Sequence, residues 1–250
     1  IIAARPSMGK CLAADSLILR GDGSLATIEE IFREKRAEIL TLDENFKFNL
    51  TGPSAFIDDR IKPVFRVRTR LGREIETTIT HPFLTVGGWR KLEKIKVGEK
   101  IAVPRVLNIF GNEEMRDCEV KLLAYFLGDG RLTKASPEFT AGKDALKEDF
   151  IRAVNDFGSF EAVRSNTVDR TSAFRVRKIG GGRAGENRLT RWLKKLGVFG
   201  CNSHAKFIPP EVFTLKKELV RLFLNRLFAT DGWASVLSTG QAQIGFASVS

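Results

Sequence analysis

Cysteine is scarce: 3 in 250 residues, set far apart at Cys11, Cys118 and Cys201. That spacing gives neither a disulfide framework nor a paired-cysteine metal pattern, and a reducing, intracellular setting is the simpler expectation. Long apolar runs are missing too. Nothing approaches the roughly 18 consecutive apolar residues of a membrane-crossing helix, and the N-terminus lacks the layout of a secretory signal. The expectation is a cytoplasmic protein with no membrane partner. Histidine is rarer still, with 2 copies, His81 and His204. A proton shuttle near neutral pH therefore has few places to sit. An initial methionine is lacking: Ile1 starts as if in mid-strand and Ser250 falls in an apolar segment, so a fragment cut at both ends is expected.

What the chain does have is apolar mass and positive charge. Hydrophobic residues make up 43% of it, enough for a substantial core and against disorder. Its 41 Lys+Arg outweigh 30 Asp+Glu for a net charge of +11, which favours a polyanionic partner. Most of the basic excess lies beyond residue 117. The length suits one large domain or two ordinary ones, and the pattern changes along it. Residues 11–106 read as short strands broken by turn signals such as Gly21-Asp22-Gly23 and Leu71-Gly72, with one short helix over 25–36. From Val120 the apolar period lengthens, predicting helices over 120–127, 144–157, 188–196 and 216–228, with strands at 138–141 and 173–179. Residues 107–117 are the boundary, and Gly180-Gly181-Gly182 is a flexible turn inside the second domain.

The first ten residues carry half a phosphate-binding loop. Ala3-Ala4-Arg5-Pro6-Ser7-Met8-Gly9-Lys10 ends on the Gly-Lys pair that would cradle phosphates, but Cys11 stands where a Mg²⁺-binding Ser or Thr is needed. The usual first glycine is replaced by Ala4, and no helix follows. As it stands, this loop is a poor ATP site. The string resembles the P-loop of DnaB-type replicative DNA helicases over residues 1–10. That implies an ATP-binding host protein, with Gly9 and Lys10 as its cofactor-binding residues.

A cysteine placed directly after an interrupted motif suggests an insertion whose first residue is a nucleophile. Thiolate suits attack on the preceding carbonyl. An amide is a poor electrophile, so the departing nitrogen needs a proton donor and the scissile carbonyl needs holding. Thr78-Ile79-Thr80-His81 supplies candidates: on a strand or turn, Thr78 and His81 can reach one peptide group. Cys11-Leu12-Ala13-Ala14-Asp15-Ser16, then Gly72 to Val86 with Thr78-x-x-His81, then Leu92 to Pro104 with Glu99 where many members have Asp, resemble the blocks of an intein in order and spacing. The resemblance covers residues 11–105. It implies the horseshoe-shaped all-β Hint fold and an acyl shift at the Lys10–Cys11 bond, with Cys11, Thr78 and His81 as catalytic residues and no cofactor. The later steps need a terminal Asn and a downstream Ser, Thr or Cys, which lie outside these residues, so this chain is expected to manage the first step at most.

Beyond the boundary, Leu122-Leu123-Ala124-Tyr125-Phe126-Leu127-Gly128-Asp129-Gly130 is an apolar helix ending in an acidic residue between glycines. Phe223-Leu224-Asn225-Arg226-Leu227-Phe228-Ala229-Thr230-Asp231-Gly232 repeats it in degenerate form. Small residues at the helix ends allow close packing, and each helix would deliver one carboxylate to a shared point, where Mg²⁺ beside a scissile phosphate can activate water. The pair resembles the LAGLIDADG homing endonucleases. That resemblance makes Asp129 and Asp231 metal-binding catalytic carboxylates and places Lys206 at a catalytic lysine position. On the 173–179 strand, Arg175 and Arg177 fall on one face and, with Lys178, could reach base edges or phosphates. Cys118 and Cys201 read as structural thiols, and His204 as local structure.

The expectation is thus a two-domain chain: 1–10, a helicase extein fragment; 11–110, an all-β Hint splicing domain; 118–250, an α+β LAGLIDADG domain of αββαββα-like order with its second half truncated. It would splice, cut double-stranded DNA with Mg²⁺, and sit between helicase exteins as a monomer. Three other readings compete: an endonuclease decayed to a DNA-binding module, the chain as a helicase itself, and a hedgehog-type autoprocessing domain.

Overall fold

Short alternating runs joined by tight turns pair with their sequence neighbours, and most of the first part of the chain is built this way. The computed structural model describes residues 11–58, 60–133, 136–165, 172–180 and 187–249, in two units, Ile1–Gly111 and Asn112–Ser250. Residues 1–10, and with them Gly9 and Lys10, lie outside the described residues, as do Gly181 and Gly182.

The first unit is a chain of four antiparallel hairpins: β1 (Leu17–Leu19) with β2 (Leu25–Thr27), β3 (Ile39–Leu42) with β4 (Phe48–Thr51), β5 (Phe65–Arg68) with β6 (Glu74–Thr77), and β7 (Pro82–Thr85) with β8 (Gly88–Lys91). Gly72 turns β5 into β6 with φ of 83°, a left-handed conformation that glycine adopts without steric cost. One helix, α1 (Ile28–Glu34), starts on a capping box. The Thr27 hydroxyl accepts from the Glu30 N–H at 3.1 Å, and the Glu30 carboxylate accepts from the Thr27 N–H at 2.7 Å. Single bridges stitch the hairpins together: Leu12 to Thr77, Arg20 to Ile39, Thr85 to Ile101. The run from Arg73 to Thr85, legible as one strand, is cut in two. A turn closed by the His81 N–H on the Thr78 carbonyl at 3.0 Å separates β6 from β7, and Pro82, which has no N–H to donate, opens the new strand.

The second unit mixes helix and sheet. Strands β9 (Gly130–Arg131), β10 (Glu138–Ala141), β11 (Phe160–Arg164) and β12 (Ser172–Lys178) form an antiparallel sheet in the order β11-β12-β10-β9. Helices α2 (Asp117–Leu127), α3 (Asp144–Phe157), α4 (Arg188–Lys195), the single turn α5 (Pro210–Phe213) and α6 (Lys217–Asp231) surround it, and a hairpin of β13 (Gly232–Val236) and β14 (Ala242–Phe246) follows. The core is aromatic and dry. Tyr125, Phe126, Phe139 and Phe150 are fully buried, with ring centroids 4.7–5.9 Å apart in tilted and edge-on pairs. Helices α2 and α6 pack closely because Gly128 has no side chain: a Cβ there would lie 2.1 Å from the Thr230 hydroxyl. Asp149 on α3 ties them together. Its carboxylate accepts from Lys121 and Tyr125 of α2 at 2.9 and 2.8 Å and from Arg226 of α6 at 2.7 Å.

Candidate functional site

The segment opening the described chain adds itself to the edge of β6. The Ala13 N–H donates to the Glu76 carbonyl at 3.0 Å, Leu12 bridges Thr77, and the Thr78 N–H donates to the Cys11 carbonyl at 3.1 Å. These backbone bonds place Cys11 beside the turn that carries Thr78 and His81. The turn itself is held from the other side: the Leu92 N–H donates to the His81 carbonyl at 2.9 Å and the Glu93 N–H to that of Ile79 at 3.0 Å. Thr78 and His81 are 5% and 1% exposed, whereas Cys11 is half-buried. A half-buried cysteine thus lies next to the turn that carries a sheltered hydroxyl and imidazole. The His81 ring meets Phe83 edge-on at 5.2 Å, and the Thr78 hydroxyl is 3.3 Å from that of Thr80. One participant escaped the sequence reading. Thr77, wholly buried, donates its hydroxyl to the Cys11 carbonyl at 2.9 Å. Nothing in the pattern separates it from an ordinary strand threonine, since its partner lies 66 residues away.

In the second unit the two degenerate strings end alike. The chain doubles back at Gly130 and Gly232, where a Cβ would meet the Phe126 and Phe228 carbonyl oxygens at 2.4 Å in both cases. The carbonyls of Asp129 and Asp231 each accept a backbone N–H, from Thr140 of β10 at 3.1 Å and from Ala247, just past β14, at 3.4 Å. The two acidic residues are solvent-reachable. The Asp129 carboxyl is pushed above its ordinary pKa, first by the desolvation of its protein-facing side and then by the charge of Asp231, with Lys206 opposing. The Lys206 ammonium reaches the same place. It donates to the carbonyls of Gly128 and Gly130, both at 2.8 Å, and desolvation lowers its pKa against the pull of Asp129 and Asp231. The Lys206 ammonium is therefore anchored on both sides of Asp129, and the charge of Asp231 reaches both. Two carboxylates flanked by carbonyl oxygens suit a hard divalent cation such as Mg²⁺, which typically uses one or two protein carboxylates and fills the rest of its shell with water and phosphate. Among the described residues no group of three or more His, Cys, Asp and Glu is placed to hold a metal by itself.

On β12, Arg175 and Arg177 point away from the core while Phe174 and Val176 point into it. Both arginines are engaged. Arg175 grips the buried Glu138 at 3.1 and 3.2 Å, and Arg177 grips Glu161 at 2.8 and 3.1 Å. Lys178 is exposed but belongs by alternation to the other face of the strand, at its end. Cys118 is buried in α2, where desolvation raises its pKa, as suits an inert thiol. His204 lies exposed, its Nδ1 at 3.2 Å from the Val249 carbonyl.

Comparison with known proteins separates what is shared from what is particular. Residues 17–236 match the model of the intein splicing domain. The chain is 32% identical over 234 residues to the replicative DNA helicase DnaB of Synechocystis sp., a match covering 91% of this chain and 27% of that protein. It is 33% identical over 229 residues to the DnaB helicase of Nostoc sp., covering 89% of this chain and 26% of that one. The chain thus spans about a quarter of the length of the curated relatives it matches. Among solved structures, the Ssp DnaB mini-intein variant M86 is 35% identical, covering 39% of this chain and 62% of that one, with a TM-score of 0.37. No helix among the described residues is long and apolar enough to cross a membrane. The family match spans most of both units, and on that ground the chain belongs to the intein splicing-domain family.

Proposed function

We propose that this intein begins splicing at the Lys10–Cys11 bond and carries a LAGLIDADG homing endonuclease in its second unit, the whole inserted in the P-loop of a replicative helicase. The observation that supports the first half is the backbone pairing of residues 11–13 with β6 and Thr78, which brings Cys11 next to the turn carrying Thr78 and His81. The Cys11 Sγ attacks the Lys10 carbonyl carbon. The C–S bond forms as the C–N bond breaks, and the thiol's proton is balanced by the one the Cys11 nitrogen gains. His81 delivers that proton, while Thr78 steadies the turn and the departing group. The chemistry needs no cofactor, and the Hint horseshoe is the fold this reading implies.

The second half rests on the convergence of Asp129, Asp231 and Lys206 at the paired ends of α2 and α6. Mg²⁺ held there would supply water activation and charge neutralisation at a scissile phosphate. Asp129 and Asp231 would hold the cation, and Lys206 would supply positive charge to the developing charge of the leaving group. The sheet face bearing Arg175 and Arg177 offers forked donors to double-stranded DNA, whose phosphates would exchange for the carboxylates that now engage them. The similarity to DnaB helicases supports helicase exteins as the flanking partners. In this reading the rejoined loop binds ATP through Gly9 and Lys10, the intein is a monomer and its host is cytoplasmic. A decayed endonuclease that only binds DNA is the alternative.

Excess thiol added to the chain should release a peptide ending at Lys10, read by mass spectrometry, and Cys11→Ala should abolish the release. Persistence of that cleavage in Cys11→Ala would remove the nucleophile assignment. A duplex spanning the uninterrupted helicase sequence should be cut with Mg²⁺, and Asp129→Asn or Asp231→Asn should stop cutting. Binding of that duplex without cutting would favour the decayed form.

A further inference from the structure

The Cys11 carbonyl accepts two hydrogen bonds, and only one of them belongs to the strand ladder. The Thr78 N–H supplies the ladder bond at 3.1 Å. The second comes from the Thr77 hydroxyl at 2.9 Å, from a side chain that is 0% exposed. Other threonines in this unit back-bond strand carbonyls, as Thr41 does to Asn49 and Thr85 to Gly88, but those join neighbours within one hairpin. Thr77 reaches across 66 residues to the residue that attacks.

We propose that Thr77 is a positioning residue for the acyl shift, its hydroxyl fixing the Cys11 carbonyl and through it the direction of the Cys11 thiol. This rests on the reading of Cys11 as the nucleophile. Attack on the Lys10 carbonyl closes a five-membered ring of Sγ, Cβ, Cα and N of Cys11 with the Lys10 carbonyl carbon. Ring closure needs the Cys11 Cα held while the Lys10–Cys11 peptide rotates toward the sulfur. With both acceptor directions of the downstream carbonyl occupied, that side of the Cα cannot turn, and motion is confined to the scissile side. A single backbone bond beside one isolated bridge would leave the peptide free to rock about it. The gain is orientational: small misplacements of reacting atoms cost large factors in rate. Because Thr77 is buried, water cannot replace its hydroxyl, so the loss would not be made good by solvent.

The test uses the full chain and four proteins: the parent, Thr77→Val, Thr77→Ser and Cys11→Ala. Valine keeps the shape and removes the donor, whereas serine keeps the donor. Thiol-induced release of the peptide ending at Lys10 should slow about tenfold in Thr77→Val, return to within about twofold in Thr77→Ser, and keep the same pH dependence throughout, since no titrating group has changed. Carbonyl-¹³C cysteine gives a second reading, with a Cys118→Ala sample and a Cys201→Ala sample assigning the Cys11 signal. That signal should shift in Thr77→Val and return in Thr77→Ser, at unchanged melting temperature. A rate in Thr77→Val within twofold of the parent overturns the proposal. So does a slowed Thr77→Ser whose carbonyl signal has returned. If Cys11→Ala still releases the peptide, the nucleophile reading itself falls, an outcome that no result at Thr77 could mimic.

Discussion

The two units bury different things. In the second, one continuous cluster of apolar side chains runs from Cys118 on α2 to Leu227 on α6, with fully buried phenylalanines at its centre. In the first, Ala26, Ile31, Leu40 and Phe83 are the buried apolar residues among those described, and they are joined by three polar ones, Thr77, Thr78 and His81. Large apolar residues such as Val86 and Val97 stand fully in solvent there. The second unit is held by area removed from water, which is non-directional and forgiving of detail. The first depends on paired backbones and turns, which are directional, and its sheltered polar groups lie on the end of β6 and the turn beside Cys11. Shelter in the first unit goes to polar groups, and in the second to apolar ones.

The largest effect that would break this contrast is a cavity in the aromatic core. Phe150→Ala should cost the second unit about 3–5 kcal/mol, seen as a lower midpoint in urea by fluorescence of Trp192, which packs on Phe157 at 5.6 Å. Thiol-induced cleavage at Lys10 should survive it. Loss of cleavage in parallel would mean that the units fold as one. Next comes acid. Asp149 is held down from 3.8 to about 2 by Arg226, Lys121 and Tyr125 against a desolvation that opposes them. Because the folded-state value is the lower one, the stabilisation is complete above 3.8 and is lost as pH falls toward 2. It amounts to about 2 kcal/mol for a side chain only 14% exposed. Circular dichroism should show the second unit losing stability over that window, and Asp149→Asn should flatten the dependence.

A smaller effect tests the first unit. Thr27→Ala removes the cap of α1 and should cost about 1 kcal/mol, read by faster amide exchange confined to α1 and β2. Smallest in stability is Arg177→Ala, about 0.5 kcal/mol or less for an exposed pair. If that arginine meets phosphate, the same change should lower the salt dependence of DNA binding by about one unit of slope.

How much of this was readable depended on how locally each feature is encoded. The expected 144–157 helix and 138–141 strand coincide with α3 and β10, and the 173–179 strand lies within one residue of β12. In each, the side-chain period alone marks the buried face. The β3–β4 hairpin and β11 carried no comparable signal. Phe160–Arg164 becomes a strand because it pairs residue for residue with β12, a long-range bond that no local pattern announces. At the site, Cys11, Thr78 and His81 were legible as residue types suited to acyl transfer, and the carboxylates as paired helix ends. Thr77 was not, because its meaning is a hydrogen bond to a distant carbonyl. Nor was the engagement of Arg175 by Glu138, which depends on strand register and burial rather than on charge.

Gly128 leaves room for Thr230 by lacking a methyl group. A single codon change to alanine would wedge the two helices apart and spread the ends that carry Asp129 and Asp231. The spacing of the acidic pair therefore hangs on one missing methyl group. Drift at that one position would shift both carboxylates at once, with neither of them mutated.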